Sequence, residues 1–131
     1  MTHINKQLNI IYMKRNIIQE KTFGFALMIV ELCQELQHQR EFILSNQLLK
    51  SGVSIGANVR ESQSAESTKD FIHKLSIALK ESQETDYWLL LLKESNTIDS
   101  SKANELINKN NDIANILSKI ILTSKKKLNE K

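Results

Sequence analysis

Histidine, cysteine and carboxylate side chains are the groups with which a helical protein holds metals or activates nucleophiles. The chain offers three histidines, one cysteine and fifteen acids. Two spacings stand out. Glu35-x-x-His38 and Asp70-x-x-His73 set a carboxylate and an imidazole one helical turn apart, the separation used in di-iron bundles, where all such side chains project inward. Advancing about 100° per residue, Glu35 falls roughly 90° from the apolar stripe of its own segment and His38 further still. Asp70 and His73 lie about 100° or more from theirs. Both pairs are expected on solvated faces, with no metal bound. Cys33 sits on an apolar helical face with no neighbouring base to lower its pKa, so it reads as packing and not as a nucleophile. No glycine-rich phosphate loop, nucleophile elbow or zinc-ligand spacing is present. The expectation is a non-enzymatic protein with no cofactor and no evident small-molecule substrate; an enzyme would need a site assembled between subunits.

Other polar and aromatic residues suggest binding. Asn58 falls within about 60° of the centre of its helix's apolar stripe, where an amide needs partners. Glu61, three residues on, and Glu84 on a facing helix are expected to join it in a buried polar network that fixes helix register, with a ligand-binding role as the alternative. Ile77, Trp88 and Leu91 form a second apolar line nearly opposite the inward stripe of their own helix. A monomeric bundle needs only one such face, so these three are expected at a contact between subunits.

The elements that position these residues follow from periodicity. Phe25, Ile29, Leu32 and Leu36, with Cys33 beside them, define a first helix over about 17–39. A second, over about 40–64, carries the stripe Leu44, Leu48, Ser51, Ile55 and Val59. Gly52 and Gly56 lie one turn apart on its flank, where missing side chains admit a neighbouring backbone. Ser67 with Asp70 can cap a third helix whose inward stripe is Phe71, Leu75, Ala78, Ser82, Thr85, Leu89 and Leu92. The polar segment 95–101 makes the last turn, with Asp99 or a neighbouring serine as cap. Leu106, Ile113, Leu117, Ile120 and Ile121 then place a fourth helix over about 102–125. The fold class is all-α, an up-down-up-down four-helix bundle in which short connections make successive helices antiparallel. The expected division is an extension over 1–15 outside the native core, a bundle over 16–126 and a basic tail over 127–131.

Composition agrees with this reading. The chain has no proline, three glycines and 40% hydrophobic residues, which permits long helices and argues against a turn-rich β fold. One cysteine allows no internal disulfide and suits a reducing compartment, so a cytoplasmic address is expected. The apolar run 23–30 falls well short of the roughly 20 residues that span a bilayer, and no cleavage-site pattern follows it, so no membrane association is expected. Net charge is +3, distributed as +2 over 1–40, −3 over 41–100 and +4 over 101–131. Lys119, Lys125, Lys126, Lys127 and Lys131 gather at the end of the fourth helix, where they would contact a polyanion if one binds.

Two blocks carry a resemblance. Lys50-Ser51-Gly52-Val53-Ser54-Ile55-Gly56-Ala57-Asn58-Val59 and Ile77-Ala78-Leu79-Lys80-Glu81-Ser82-Gln83-Glu84-Thr85-Asp86-Tyr87-Trp88-Leu89 resemble the signatures of the four-helix-bundle proteins encoded by intervening sequences in 23S ribosomal RNA genes. With the segments 25–27 and 70–72, the likeness runs from about residue 16 to about 125. It implies a ring-shaped homopentamer. Relatives in this family include the accessory subunit of diversity-generating retroelements, a basic ring that binds reverse transcriptase and nucleic acid. Lys50 stands where the family usually has arginine and Val53 where threonine is common, and the strongly basic balance of the retroelement subunit is missing. The leading expectation is therefore a homo-oligomeric interaction or scaffold protein presenting a basic surface to a macromolecular partner. The alternative is an accessory protein that binds RNA or DNA directly.

Overall fold

The structure, a computed structural model, describes residues 3–130. Four helices account for almost all of them: α1 (His3–His38), α2 (Phe42–Ser62), α3 (Thr68–Glu94) and α4 (Ser100–Asn129). Each helix packs on two neighbours, α1 on α2 and α4, and α3 on α2 and α4. One apolar core fills the space they enclose.

The helix ends follow local chemistry. At the end of α1, Arg40 adopts a left-handed φ of 64°, its N–H reaches the Gln37 carbonyl at 2.9 Å, and the Glu41 N–H reaches the Leu36 carbonyl at 2.8 Å. This is the Schellman closure, which satisfies carbonyls that the helix leaves unpaired. Asn96 ends α3 in the same way, with φ 57° and bonds from Asn96 N–H to Lys93 and Thr97 N–H to Leu92. Asparagine tolerates the left-handed region better than arginine does. Ser67 caps α3, its hydroxyl accepting from the Asp70 N–H at 3.0 Å, while the Asp70 carboxylate accepts from the Glu66 N–H at 3.2 Å. Asp99 occupies the N-cap of α4 without a side-chain cap bond.

The inward stripes are those that periodicity defines, with small shifts. Phe25, Ile29, Leu32, Cys33 and Leu36 of α1 are buried, as are all seven stripe residues of α3 and all five of α4. On α2 the stripe is rotated slightly: Leu44 is only half-buried, whereas Ser45 is fully enclosed. Both helical glycines of α2 face α1. A Cβ on Gly52 would stand 2.8 Å from Ile29 Cγ2, and one on Gly56 would stand 3.4 Å from the Thr22 carbonyl oxygen.

Two boundaries differ from expectation. Helix α1 does not start near residue 17 but runs from His3, because nothing before Gly24 breaks a helix. Ile18 and Thr22 add two buried positions to its inward side, whereas Met13 is exposed. Helix α4 continues past 125 to Asn129, and Leu128 packs against the core, so much of the expected tail is helical.

Candidate interaction surface

The network expected of Asn58, Glu61 and Glu84 does not form. Asn58 is half-buried and its Nδ2 donates to the Ser54 carbonyl, one turn earlier on its own helix, at 2.9 Å. Glu61 is exposed and pairs with Lys74 of α3 at 3.4 Å. Glu84 is exposed as well, and its neighbour is Glu81. All three project from the α2/α3 flank, outside the sealed interior.

The buried polar contacts lie elsewhere. Asn110 of α4, 1% exposed, receives a bond from the Ser82 hydroxyl at 2.7 Å and donates through Nδ2 to the Ser82 carbonyl at 2.8 Å. Thr85 donates to the Ser51 hydroxyl at 2.9 Å and to the Glu81 carbonyl at 2.7 Å. Each bond across helices specifies one register between its pair, and fully satisfied groups of this kind cost little to bury. Asn110 was recognisable in principle, because it stands four residues after Leu106 and three before Ile113, inside the apolar stripe.

Ile77, Trp88 and Leu91 lie not opposite the inward stripe, as their spacing suggested, but on the α2/α3 flank of α3, where Trp88 packs against the edge of the core. Ile77 and Trp88 are half-buried and Leu91 is 38% exposed. The Trp88 ring meets Tyr87 edge-on, with centroids 5.0 Å apart, and Tyr87 is itself exposed. Among the described residues, Trp88 Nε1 is the buried side-chain polar atom without a hydrogen-bond partner. Two turns earlier on the same flank, burial raises the Glu81 carboxyl above the usual carboxylate range; the Glu84 charge and a hydrogen bond shared with Glu84 add to this, and Lys50 of α2 opposes it. The flank thus combines apolar side chains, an indole donor without an acceptor and two adjacent carboxyls.

The lysines of α4 divide. Lys119, Lys125 and Lys126 are exposed, Lys127 is half-buried, and Lys131 lies outside the described residues. Of the residues whose spacing suggested metal chemistry, Glu35, His38 and His73 are exposed, and Asp70 is engaged in capping α3. Among the described residues no group of three metal-ligating side chains gathers. Cys33 is 1% exposed, its thiol donates to the Ser45 carbonyl at 3.3 Å, and burial pushes its pKa up to about 11. It is a packed thiol. Among the described residues no helix is long and apolar enough to cross a membrane.

Comparison with known proteins places this geometry. Curated protein sequences yield no match. A solved structure of a protein of unknown function from the S23 ribosomal protein family of Bacteroides thetaiotaomicron is 45% identical, with a TM-score of 0.81 over 82% of this chain and 97% of that one. The model of the 23S rRNA-intervening sequence protein family matches residues 14–119. Four helices, the two sequence blocks on α2 and α3, and this match over most of the length establish that the chain belongs to the 23S rRNA-intervening sequence protein family.

Proposed function

We propose that this protein is a non-enzymatic scaffold that assembles from copies of itself, as a ring of five, and offers the basic end of α4 to an acidic macromolecule in the cytoplasm. The observation that carries the assembly is the α3 flank, where Leu91 is 38% exposed one turn from the half-buried Trp88, with the half-buried Ile77 about three turns earlier on the same side, on a helix whose inward stripe is already fully buried. Apolar side chains at such spacing on a second face are the mark of a partner surface. Chain directions support the antiparallel arrangement: Gly52 lies against Ile29 while the later Gly56 lies against the earlier Thr22, and Ser51 bonds Thr85 while the later Glu61 pairs with the earlier Lys74. Light scattering tests the assembly. Five copies of a 15.1 kDa chain weigh about 76 kDa, and a single-chain mass at micromolar concentration contradicts the reading.

The second reading, direct RNA or DNA binding, is favoured by the exposure of Lys119, Lys125 and Lys126 on the last turns of α4. Repeated around a ring, such groups would multiply a modest local field. An electrophoretic shift with generic RNA, weakening as salt rises, separates the two readings, because phosphate binding releases counterions.

A further inference from the structure

The α3 flank has a chemical counterpart on the same chain. Phe23, Leu27 and Val30 follow one another at spacings of four and three along α1, on the side turned away from the core, and are 58%, 57% and 36% exposed. Between this line and α2 runs an open groove of about 450 Å³, floored by Ala26, Val53, Gly56 and Ala57 and rimmed by Phe23 and Arg60. Its shape follows from sequence. Gly56 and the two alanines hold the floor low, while Phe23 stands up at the edge. Arg60 is exposed and makes no ion pair among the described residues.

The two surfaces complement one another. The groove is apolar with a free guanidinium at its rim; the α3 flank offers Trp88, Leu91 and Ile77 with the Glu81 and Glu84 carboxyls among them. We propose that the α1/α2 groove of one copy receives the α3 flank of the next, apolar side chains filling the groove and a flank carboxylate meeting Arg60. This rests on the homo-oligomeric reading and adds which faces join. Such a contact is heterologous, since each copy uses two different surfaces.

The position of the two faces also bears on closure. The flank lies on the α2/α3 side, where Glu81 feels Lys50, and the groove lies on the α1/α2 side. In a bundle whose helices touch only their neighbours these are adjacent sides, about 90° apart, and two binding sides at about that angle close a ring of about four or five copies. Faces on opposite sides would give an open filament.

Disulfide trapping tests the proposal. Val53→Cys places a thiol in the groove and Glu84→Cys places one on the flank, while the buried native Cys33 stays out of reach. Ala57→Cys, one turn further along α2 on the same floor, is a second groove position, so that one unfavourable sulfur geometry does not decide the result. Under mild oxidation the double variants should give a covalent ladder that ends at the mass of the assembly, and each single variant should stay uncrosslinked. If light scattering shows an assembly but neither double variant cross-links, or if single variants dimerise as readily, the faces are paired wrongly while the oligomer stands. A single-chain mass overturns both this pairing and the oligomeric reading beneath it.

Discussion

Replacing each glycine by alanine in turn probes how closely α1 and α2 approach. In a helix interior alanine is favoured over glycine by about 1 kcal/mol, so a glycine with free space around it should gain roughly that much. Gly24 is such a position, since a Cβ there would meet nothing within 4 Å. At Gly56 the nearest atoms stand at 3.4–3.5 Å, ordinary contact, and most of the gain should survive. Gly52 differs: its Cβ would meet Ile29 Cγ2 at 2.8 Å, Cγ1 at 3.0 Å and Cβ at 3.3 Å. Ile29 is fully buried and its β-branch locks χ1, so the clash cannot be relieved by a swinging terminal methyl. Overpacking of this kind costs about 1–3 kcal/mol, which cancels or exceeds the propensity gain. Gly52→Ala should therefore fall about 1–3 kcal/mol below Gly24→Ala. At roughly 4 °C per kcal/mol the melting temperatures should separate by several degrees. Urea midpoints and thermal scans at one fixed protein concentration read the difference, since assembly makes melting depend on concentration. Equal stability for Gly52→Ala and Gly24→Ala would refute the close packing of these two helices.

Asn110→Leu should cost about 1–3 kcal/mol, because it strips Ser82 of both its bonds across the helix pair, whereas Asn58→Leu should stay within about 0.5 kcal/mol, since Asn58 bonds only within its own helix; denaturant midpoints compare them. Burial raises the Cys33 pKa from 9.0 to about 11, so the unfolded chain loses this proton before the folded one does. That contribution to stability is whole below pH 9 and is lost as pH rises toward 11, and Cys33→Ala should flatten this part of the stability–pH curve relative to the wild type. If RNA binds, replacing Lys125, Lys126 and Lys127 with glutamine should reduce the log–log salt slope by up to about 0.7 per phosphate contact for single strands, with the melting temperature unchanged; an unaltered slope would move the contact elsewhere.

The inward faces were legible because packing in a bundle obeys a single period. The seven residues from Phe71 to Leu92, spaced by threes and fours, had no other helical face to share, and all are buried. Ser67 and Asp70 announced the start of α3 by capping chemistry alone. The polar site departs from the expected one for a geometric reason. An apolar stripe is about 100° wide, so a residue about 60° from its centre, as Asn58 is, lies at the margin and finds a partner on its own helix. Asn110 was masked by its surroundings, since Asn108, Asn111 and Asp112 make the segment look solvated. Its place between Leu106 and Ile113 carried the only signal. The start of α1 at His3 is not visible in the burial pattern, because no residue before Gly24 stops a helix and continuity leaves no mark in such a pattern.

Molar mass in solution bears most directly on the claim that the outer faces of α1, α2 and α3 are made for copies of the same chain. Multi-angle light scattering on the full-length protein at micromolar concentration should give a single species near 76 kDa, five times the 15.1 kDa chain, reduced to the single-chain mass by Trp88→Asp. A wild-type mass of 15.1 kDa under those conditions would contradict the account.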